Sequence, residues 1–467
     1  MPRLAVNSVA VIGAGPCGLA AAKYLLAEKA FSRIQVFDQR PIAGGLWNYT
    51  PLSVLDAGFT IPRTAPSTVL DTLVAQPGGP AQVVSPVYDL LETNIPKDLM
   101  GYTDGGFPSN EALFPHHTRV AAYLHSCAVP LQSVLRLQTQ VRDVRKVGGV
   151  WRVTIRDLVA DKETTEEFDA VVVASGHYND PYIPDIKGLK EFAEAYPGAV
   201  MHSKFYQRPD EFKDKKVIVV GNSASGIDLS AQISTFSKAP VLASERTATP
   251  ASASTNPLIR TVPEITSFSL PSRQAHFSDG SVESDIDAVV FCTGYFYSFP
   301  YLRDLPVPLG DGTHVAGLYE HVLYAADPSL SFLGVPQRIV PFPVAEAQSG
   351  LVARALAGRW EVPTRAEMEA WETELRAQLP DVRNLHTLKF PKDADYINRL
   401  YEMSASADKK EGLERDGMGK EPPYWGPEKQ WLREQFPMIK AVSRELGTKR
   451  MNIRTLKELG FEYPGKN

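Results

Sequence analysis

Three glycines near the N-terminus, Gly13, Gly15 and Gly18, stand in the spacing G-x-G-x-x-G. The first permits a sharp turn, the second leaves room for a pyrophosphate, and the third lets a helix pack closely on a strand. The free N–H groups that open such a helix then meet the phosphate charge. Asp38 lies 25 residues after Gly13, where a carboxylate takes the hydroxyls of an adenosine ribose. A second turn, Gly221-Asn-Ser-Ala-Ser-Gly226, departs from the spacing in carrying Ser223 for the middle glycine. Serine is small, and its hydroxyl can bond a phosphate, so Gly221, Ser223, Ser225 and Gly226 are the candidate contacts. Arg246 lies 25 residues after Gly221, where an enzyme that uses NAD often carries an acid. An arginine there pairs with a 2′-phosphate and points to NADP(H).

These residues need strands and helices to hold them. Val9–Ile12 is a β-branched run before the first turn, Leu19–Leu26 reads as a helix, and Ile34–Asp38 as a second strand ending in an acid. The same order recurs in Lys216–Val220, a helix over Ile227–Phe236, and a strand over Pro240–Ser244. Between the two units, His116–Cys127 reads as a helix, Thr139–Ile155 as a hairpin about Gly148-Gly149, and Phe168–Ala174 as a buried strand. Ile286–Phe291 is a further strand. Prolines from Pro62 to Pro86 make the stretch after Thr50 an elaborated loop, and Thr247–Pro257 is a loop of small residues. The last third is mostly helical. Thr364-Arg-Ala-Glu367 is a capping box, Ser404–Glu421 a solvated loop, and two short helices lie near Glu428–Leu446 and Asn452–Leu459.

The chain has 467 residues, 43% hydrophobic and 22% charged, with a net charge of −5. That is room for two or three domains and a large core. No basic field recommends a nucleic acid or a membrane surface. The three cysteines are scattered and form no C-x-x-C pair, which suits a reducing compartment and excludes a redox dithiol. No apolar run reaches transmembrane length, so a cytoplasmic protein is expected. His116-His117 is expected to hold no metal, because neighbouring residues on a helix point apart.

Two phosphate-cradling turns imply two nucleotides. With no metal cluster and no dithiol, they fit a flavin that takes hydride from a nicotinamide cofactor and passes electrons to oxygen or an external acceptor.

Further motifs carry a resemblance. Tyr196–Tyr206, with Gly198, His202 and Tyr206 in place, resembles the F-x-G-x-x-x-H-x-x-x-(F/Y/W) signature of the class B flavoprotein monooxygenases. Gly44-Gly45-Leu46-Trp47, Thr93-Asn94, Phe291-Cys-Thr-Gly-Tyr295 and Pro343-Val-Ala-Glu-Ala-Gln348 resemble segments of the flavin-containing monooxygenases, in the same order. The resemblance implies a flavoenzyme that uses FAD, NADPH and O2 and oxygenates a small sulfur or nitrogen nucleophile through a flavin C4a-hydroperoxide, an N,N-dimethylaniline-type or sulfide monooxygenase. It makes Asn94 the catalytic amide and gives His202 a structural, domain-linking role. It adds Gly45, Leu46, Trp47, Val141 and Gln348 to the FAD contacts Gly13, Gly15, Gly18, Asp38 and Asn94. Glu346 is also placed near the flavin ring, while Trp47 and Tyr295 either contact flavin or fill core. Tyr206 replaces the tryptophan usual in Baeyer–Villiger relatives, which favours heteroatom oxygenation. The tail lacks the anchor of mammalian members, and the Thr50–Pro86 insert is similar to that of fungal members.

The expected fold is α/β with two Rossmann-like domains and a helical C-terminal region. An NADP domain over residues 201–296 is inserted into a discontinuous FAD domain over 1–200 and 297–467. A homodimer is compatible with this plan. The competing activities are a Baeyer–Villiger oxygenation of a ketone, an uncoupled NADPH oxidase, and a non-catalytic nucleotide-binding protein.

Overall fold

A computed structural model describes residues 3–51, 59–76, 79–246, 256–305 and 309–465. Parts of the expected loops after Thr50 and Thr247 lie outside the described residues.

The first unit is β1 (Ser8–Ile12), α1 (Pro16–Ala27) and β2 (Arg33–Phe37). The two strands run parallel with Ile12 opposite Phe37. Residues Val9–Val11 are fully buried, which is why this run is β-branched and apolar without alternation. They sit in a seven-stranded sheet with Leu135–Arg136 beyond β2 on one side. On the other lie Ala170–Val173, Leu330–Phe332, Leu323–Tyr324 and Leu318–Tyr319.

The second unit is β3 (Val217–Val220), α2 (Ala224–Ile233) and β4 (Val241–Ser244). It forms a five-stranded parallel sheet with Val200–His202, Ala288–Phe291 and Ile259–Val262. The sheets are joined where Asp180–Pro181 pairs antiparallel with Tyr295–Phe296, so the chain leaves the first body and returns to it side by side. Every strand of the second sheet falls between these two crossings.

The helical C-terminal region packs on the first sheet. Helix Pro341–Leu356 is buried along nearly its whole length, against α1 and helix Lys392–Ala405. Thr364 and Glu367 make the expected capping box of helix Arg365–Ala377. The stretch near Glu428–Leu446 is a single 19-residue helix, Pro427–Glu445. Among the described residues no helix is long and apolar enough to cross a membrane.

Two expectations are corrected, and one strand is added. Residues 406–421 are not simply solvated. Their carbonyls at Asp408, Met418 and Lys420 accept from the buried guanidiniums of Arg354 and Arg359. Lys162–Phe168 is an extra strand beside the expected hairpin. Before Phe168 its residues are all polar, with Glu163, Thr165 and Glu167 exposed, so its composition is that of a surface segment. His116 and His117 do not point apart, because His116 is the extended N-cap residue rather than part of the helix. Their Nε2 atoms converge on one carbonyl, that of Asp89, at 2.8 and 3.2 Å.

Candidate active site

The turn after β1 is built as its glycines require. Gly13 has φ +105°, and a Cβ there would meet the Ala174 carbonyl oxygen at 2.6 Å. A Cβ on Gly18 would lie 1.8 Å from the Gly13 oxygen, so α1 could not approach the turn. Gly15 faces Gly45, whose Cβ would fall 2.8 Å from the Gly15 Cα. Two glycine turns thus lie back to back, held by the Gly44 N–H on the Ala14 carbonyl at 2.8 Å. Together they leave a cradle that a side chain would fill.

This cradle opens into a cleft of about 350 Å³. Gly13, Gly15, Asp38, Gly45, Leu46, Trp47 and Val141 line it. So do the N-terminal residues of two helices, Pro16–Cys17 and Pro341–Phe342. Pro16, Pro341 and Pro343 carry no N–H, so the N–H groups these residues turn to the cleft are those of Cys17 and Phe342, at helix ends that favour anionic groups. Asp38 is buried, with one oxygen accepting from the Ala14 N–H at 2.7 Å and the other from the Arg40 N–H at 2.8 Å. Burial raises its pKa against these two bonds. Each oxygen keeps a lone pair for a ribose hydroxyl.

The roof comes from residues that sequence spacing does not single out. Arg63, half-buried, donates from Nε and Nη2 to Oδ1 of the buried Asp180 at 3.0 and 2.6 Å. This bridge ties the proline-rich insert to the loop Ser175–Asp180. His177 and Tyr178 of that loop face the cleft. His177 Nε2 is buried without a partner among the described residues, an orphan of the kind a bound ligand satisfies. Burial pushes the His177 pKa down to about 4, so the ring is neutral.

Four residues that the resemblance connects with the flavin do not line this cleft. Gln348 is fully buried behind the wall: its Oε1 accepts from Gly334 N–H at 2.8 Å and its Nε2 donates to Tyr396. Glu346 lines a separate pocket and accepts from the Thr103 N–H and hydroxyl, and burial raises its pKa to about 7. Tyr295 packs against His202 and Tyr178 outside the cleft lining. Asn94 is half-buried and also absent from that lining, with its Oδ1 accepting from Arg444 Nη2 at 3.2 Å.

The turn after β3 repeats the first in geometry. Gly221 has φ +105° with the Cys292 oxygen 2.6 Å from a would-be Cβ, and Gly226 would meet the Gly221 oxygen at 1.8 Å. Ser223 is the N-cap of α2, exposed, with no capping bond of its own. Ser225 is half-buried in the first turn of α2, and Arg246 is exposed. One correction concerns register. Ser244 pairs with Val220 as Phe37 pairs with Ile12. The residue that matches Asp38 is therefore Glu245, not Arg246, because the span from the first glycine to the end of the second strand is one residue shorter in the second unit, whose helix has 10 residues against 12.

His202 is fully buried between the units. Its Nδ1 accepts from the Lys204 N–H at 3.1 Å and its Nε2 meets the Gly294 carbonyl at 3.0 Å. With both nitrogens engaged and burial pushing its pKa to about 3, it is no general base. Tyr88 of the first body donates to Asp228 of α2, and Tyr206 donates to Gln232 at 3.0 Å. Among the described residues no group of three or more His, Cys, Asp or Glu side chains is placed to hold a metal.

The flavin-binding monooxygenase-like family model matches residues 79–254 and 258–415, most of the chain. The chain belongs to that family. A model for NAD(P)-binding Rossmann-like domains also matches residues 11–70. Among curated relatives of this flavin monooxygenase, the flavin-containing monooxygenase FMO GS-OX4 of Arabidopsis thaliana is 36% identical, covering 78% of this chain and 77% of the relative. The thiol-specific monooxygenase of Saccharomyces cerevisiae is 31% identical over 86% of this chain and 87% of its own. Among solved structures, the S-allyl-L-cysteine S-oxygenase of Allium sativum superposes with a TM-score of 0.76 at 28% identity, covering 98% of each chain. Plant and yeast relatives stand at similar identity, so these matches single out no fungal subgroup. Like its family, this monooxygenase uses FAD and NADPH.

Proposed function

We propose that this flavin monooxygenase oxygenates a soft sulfur nucleophile, with FAD in the cleft of the first unit and NADPH on the second. The observation that carries the proposal is the cleft itself, which joins a glycine cradle, a ribose carboxylate and two helix N-termini. Gly13, Gly15 and Gly45 admit the pyrophosphate, Gly18 lets α1 close on the turn, and Asp38 holds the ribose. Val141, Leu46 and Trp47 supply apolar walls, and Gln348 fixes the wall from behind through Gly334. Gly221, Ser223, Ser225, Gly226 and Arg246 receive the pyrophosphate and 2′-phosphate of NADPH.

FAD in that cleft would supply hydride acceptance and oxygen activation. The protein's part is to exclude water and to offer hydrogen bonds that do not titrate. His177 is neutral and buried, and Asn94 is a neutral amide. Arg444 holds the Asn94 oxygen, which leaves its amide N–H groups as donors. Asn94 is the amide assigned to support oxygenation. Sulfur rather than a ketone carbon is favoured by the names of the relatives, a thiol-specific monooxygenase and an S-oxygenase of a cysteine derivative, and by Tyr206 at the signature position.

The test is a competition among a thioether, a tertiary amine and a cyclic ketone, with NADPH consumption compared against product and peroxide. Sulfoxide formed in step with NADPH supports the assignment. Lactone as the main product, or peroxide alone, overturns it.

A further inference from the structure

Two residues after β4, Glu245 and Arg246, carry opposite charges at the place where nicotinamide cofactors are told apart. The strand registers of the two units agree: Gly13 N–H donates to the Phe37 carbonyl at 2.7 Å, and Gly221 N–H to the Ser244 carbonyl at 2.9 Å. Asp38 and Glu245 are the next residues in each chain, and both are buried, at 8% and 9% exposure. Each carboxylate is tied to the second residue of its glycine turn. Asp38 Oδ2 accepts from the Ala14 N–H at 2.7 Å, and Glu245 Oε2 accepts from the Asn222 side-chain amide at 2.5 Å. The longer glutamate reaches a side chain where the aspartate reaches the backbone.

A carboxylate in this position accepts from the 2′-hydroxyl of an adenosine ribose, whereas an arginine beside it pairs with a 2′-phosphate. Here both stand side by side. A phosphate seated against Arg246 lies one residue from the negative charge of Glu245, and like charges oppose one another. We propose that Glu245 is a specificity residue that takes the ribose hydroxyl of NADH and opposes the 2′-phosphate of NADPH, so that this chain is reduced by both cofactors. The inference rests on the second unit holding the nicotinamide cofactor.

The experiment follows anaerobic reduction of the FAD holoenzyme by NADH and by NADPH. In parallel, equilibrium binding of 5′-AMP and 2′,5′-ADP probes the adenosine half alone. Wild-type enzyme should be reduced by both cofactors, with efficiencies within about thirtyfold of each other. Glu245→Gln should move the preference toward NADPH by about tenfold or more, through a weaker NADH, and should tighten 2′,5′-ADP while loosening 5′-AMP. Arg246→Ala should move it the opposite way and loosen 2′,5′-ADP alone. Should Glu245→Gln not fold, Glu245→Ser reports the same ratio. A wild-type enzyme that NADH does not reduce, or an unchanged ratio in a Glu245 variant that keeps its flavin, overturns the inference while leaving NADPH on the second unit. Failure of both cofactors to reduce the flavin, with neither adenosine fragment bound, overturns that placement as well.

Discussion

The two strand–turn–helix units share their glycine geometry and differ in what closes over it. Both opening glycines have φ +105° with a backbone oxygen 2.6 Å from a would-be Cβ, and both closing glycines would clash at 1.8 Å. Yet the first unit presses Gly15 against Gly45 under a roof held by Arg63 and Asp180, whereas the second exposes Ser223 and Arg246. One backbone solution therefore serves two purposes. A roofed turn suits a cofactor that stays, and an open one suits a cofactor that arrives and leaves with each cycle.

The largest test exchanges the same defect between the units. Gly13→Ala and Gly221→Ala both force a Cβ onto a carbonyl oxygen at positive φ, with a cost above about 3 kcal/mol locally. Gly13→Ala should purify without flavin. Gly221→Ala should keep the yellow chromophore but lose reduction by NADPH, as absorbance and anaerobic reduction would record. Identical outcomes for the pair would break the comparison.

Next in size is the roof. Arg63→Ala leaves the buried carboxylate of Asp180 without its cation, a loss of about 3–5 kcal/mol. Flavin should dissociate at a lower temperature than in the wild type, while binding of 2′,5′-ADP to the open unit stays the same. Asp38→Asn is milder. A hydrogen bond to an ionised group contributes about 1.5–3 kcal/mol, so flavin affinity by titration should fall by tenfold or more with turnover of the remaining holoenzyme retained.

The smallest effect lies at the junction. Burial depresses His177 and His202 to about 4 and about 3, from an ordinary 6.5. The unfolded chain protonates these rings first, so their contribution is complete above pH 6.5 and is lost as pH falls toward about 3 to 4. At pH 5.5 this amounts to about 1 kcal/mol for each. His202→Asn should flatten the decline in melting temperature between pH 7 and 5, and an unchanged slope would remove the junction from the account.

Much of this was legible because close backbone approach leaves glycine few substitutes. Gly13, Gly18, Gly221 and Gly226 announce their turns wherever the rest of the chain goes. What failed to show were features set by counting through variable connections. Arg246 stands as far from Gly221 as Asp38 does from Gly13, but a shorter second helix brings Glu245 into register instead. The roof was hidden for a related reason. Arg63 and Asp180 meet across more than a hundred residues, and no local pattern marks either. The strand Lys162–Phe168 escaped notice because its composition is that of a surface segment, and His116 because a cap residue obeys no helical geometry. Asn94 was placed by motif alone, and its side chain is turned toward Arg444.

The side-by-side crossings at Asp180–Pro181 and Tyr295–Phe296 make the second unit a cassette. Tyr182 N–H donates to the Gly294 carbonyl at 3.0 Å, so the ends of the intervening stretch are already neighbours. A short turn could join them and leave the seven-stranded sheet intact, since none of its strands comes from the excised part. On the proposed placement of NADPH the electron donor would then be modular: a different cassette with the same two ends could serve the same cleft.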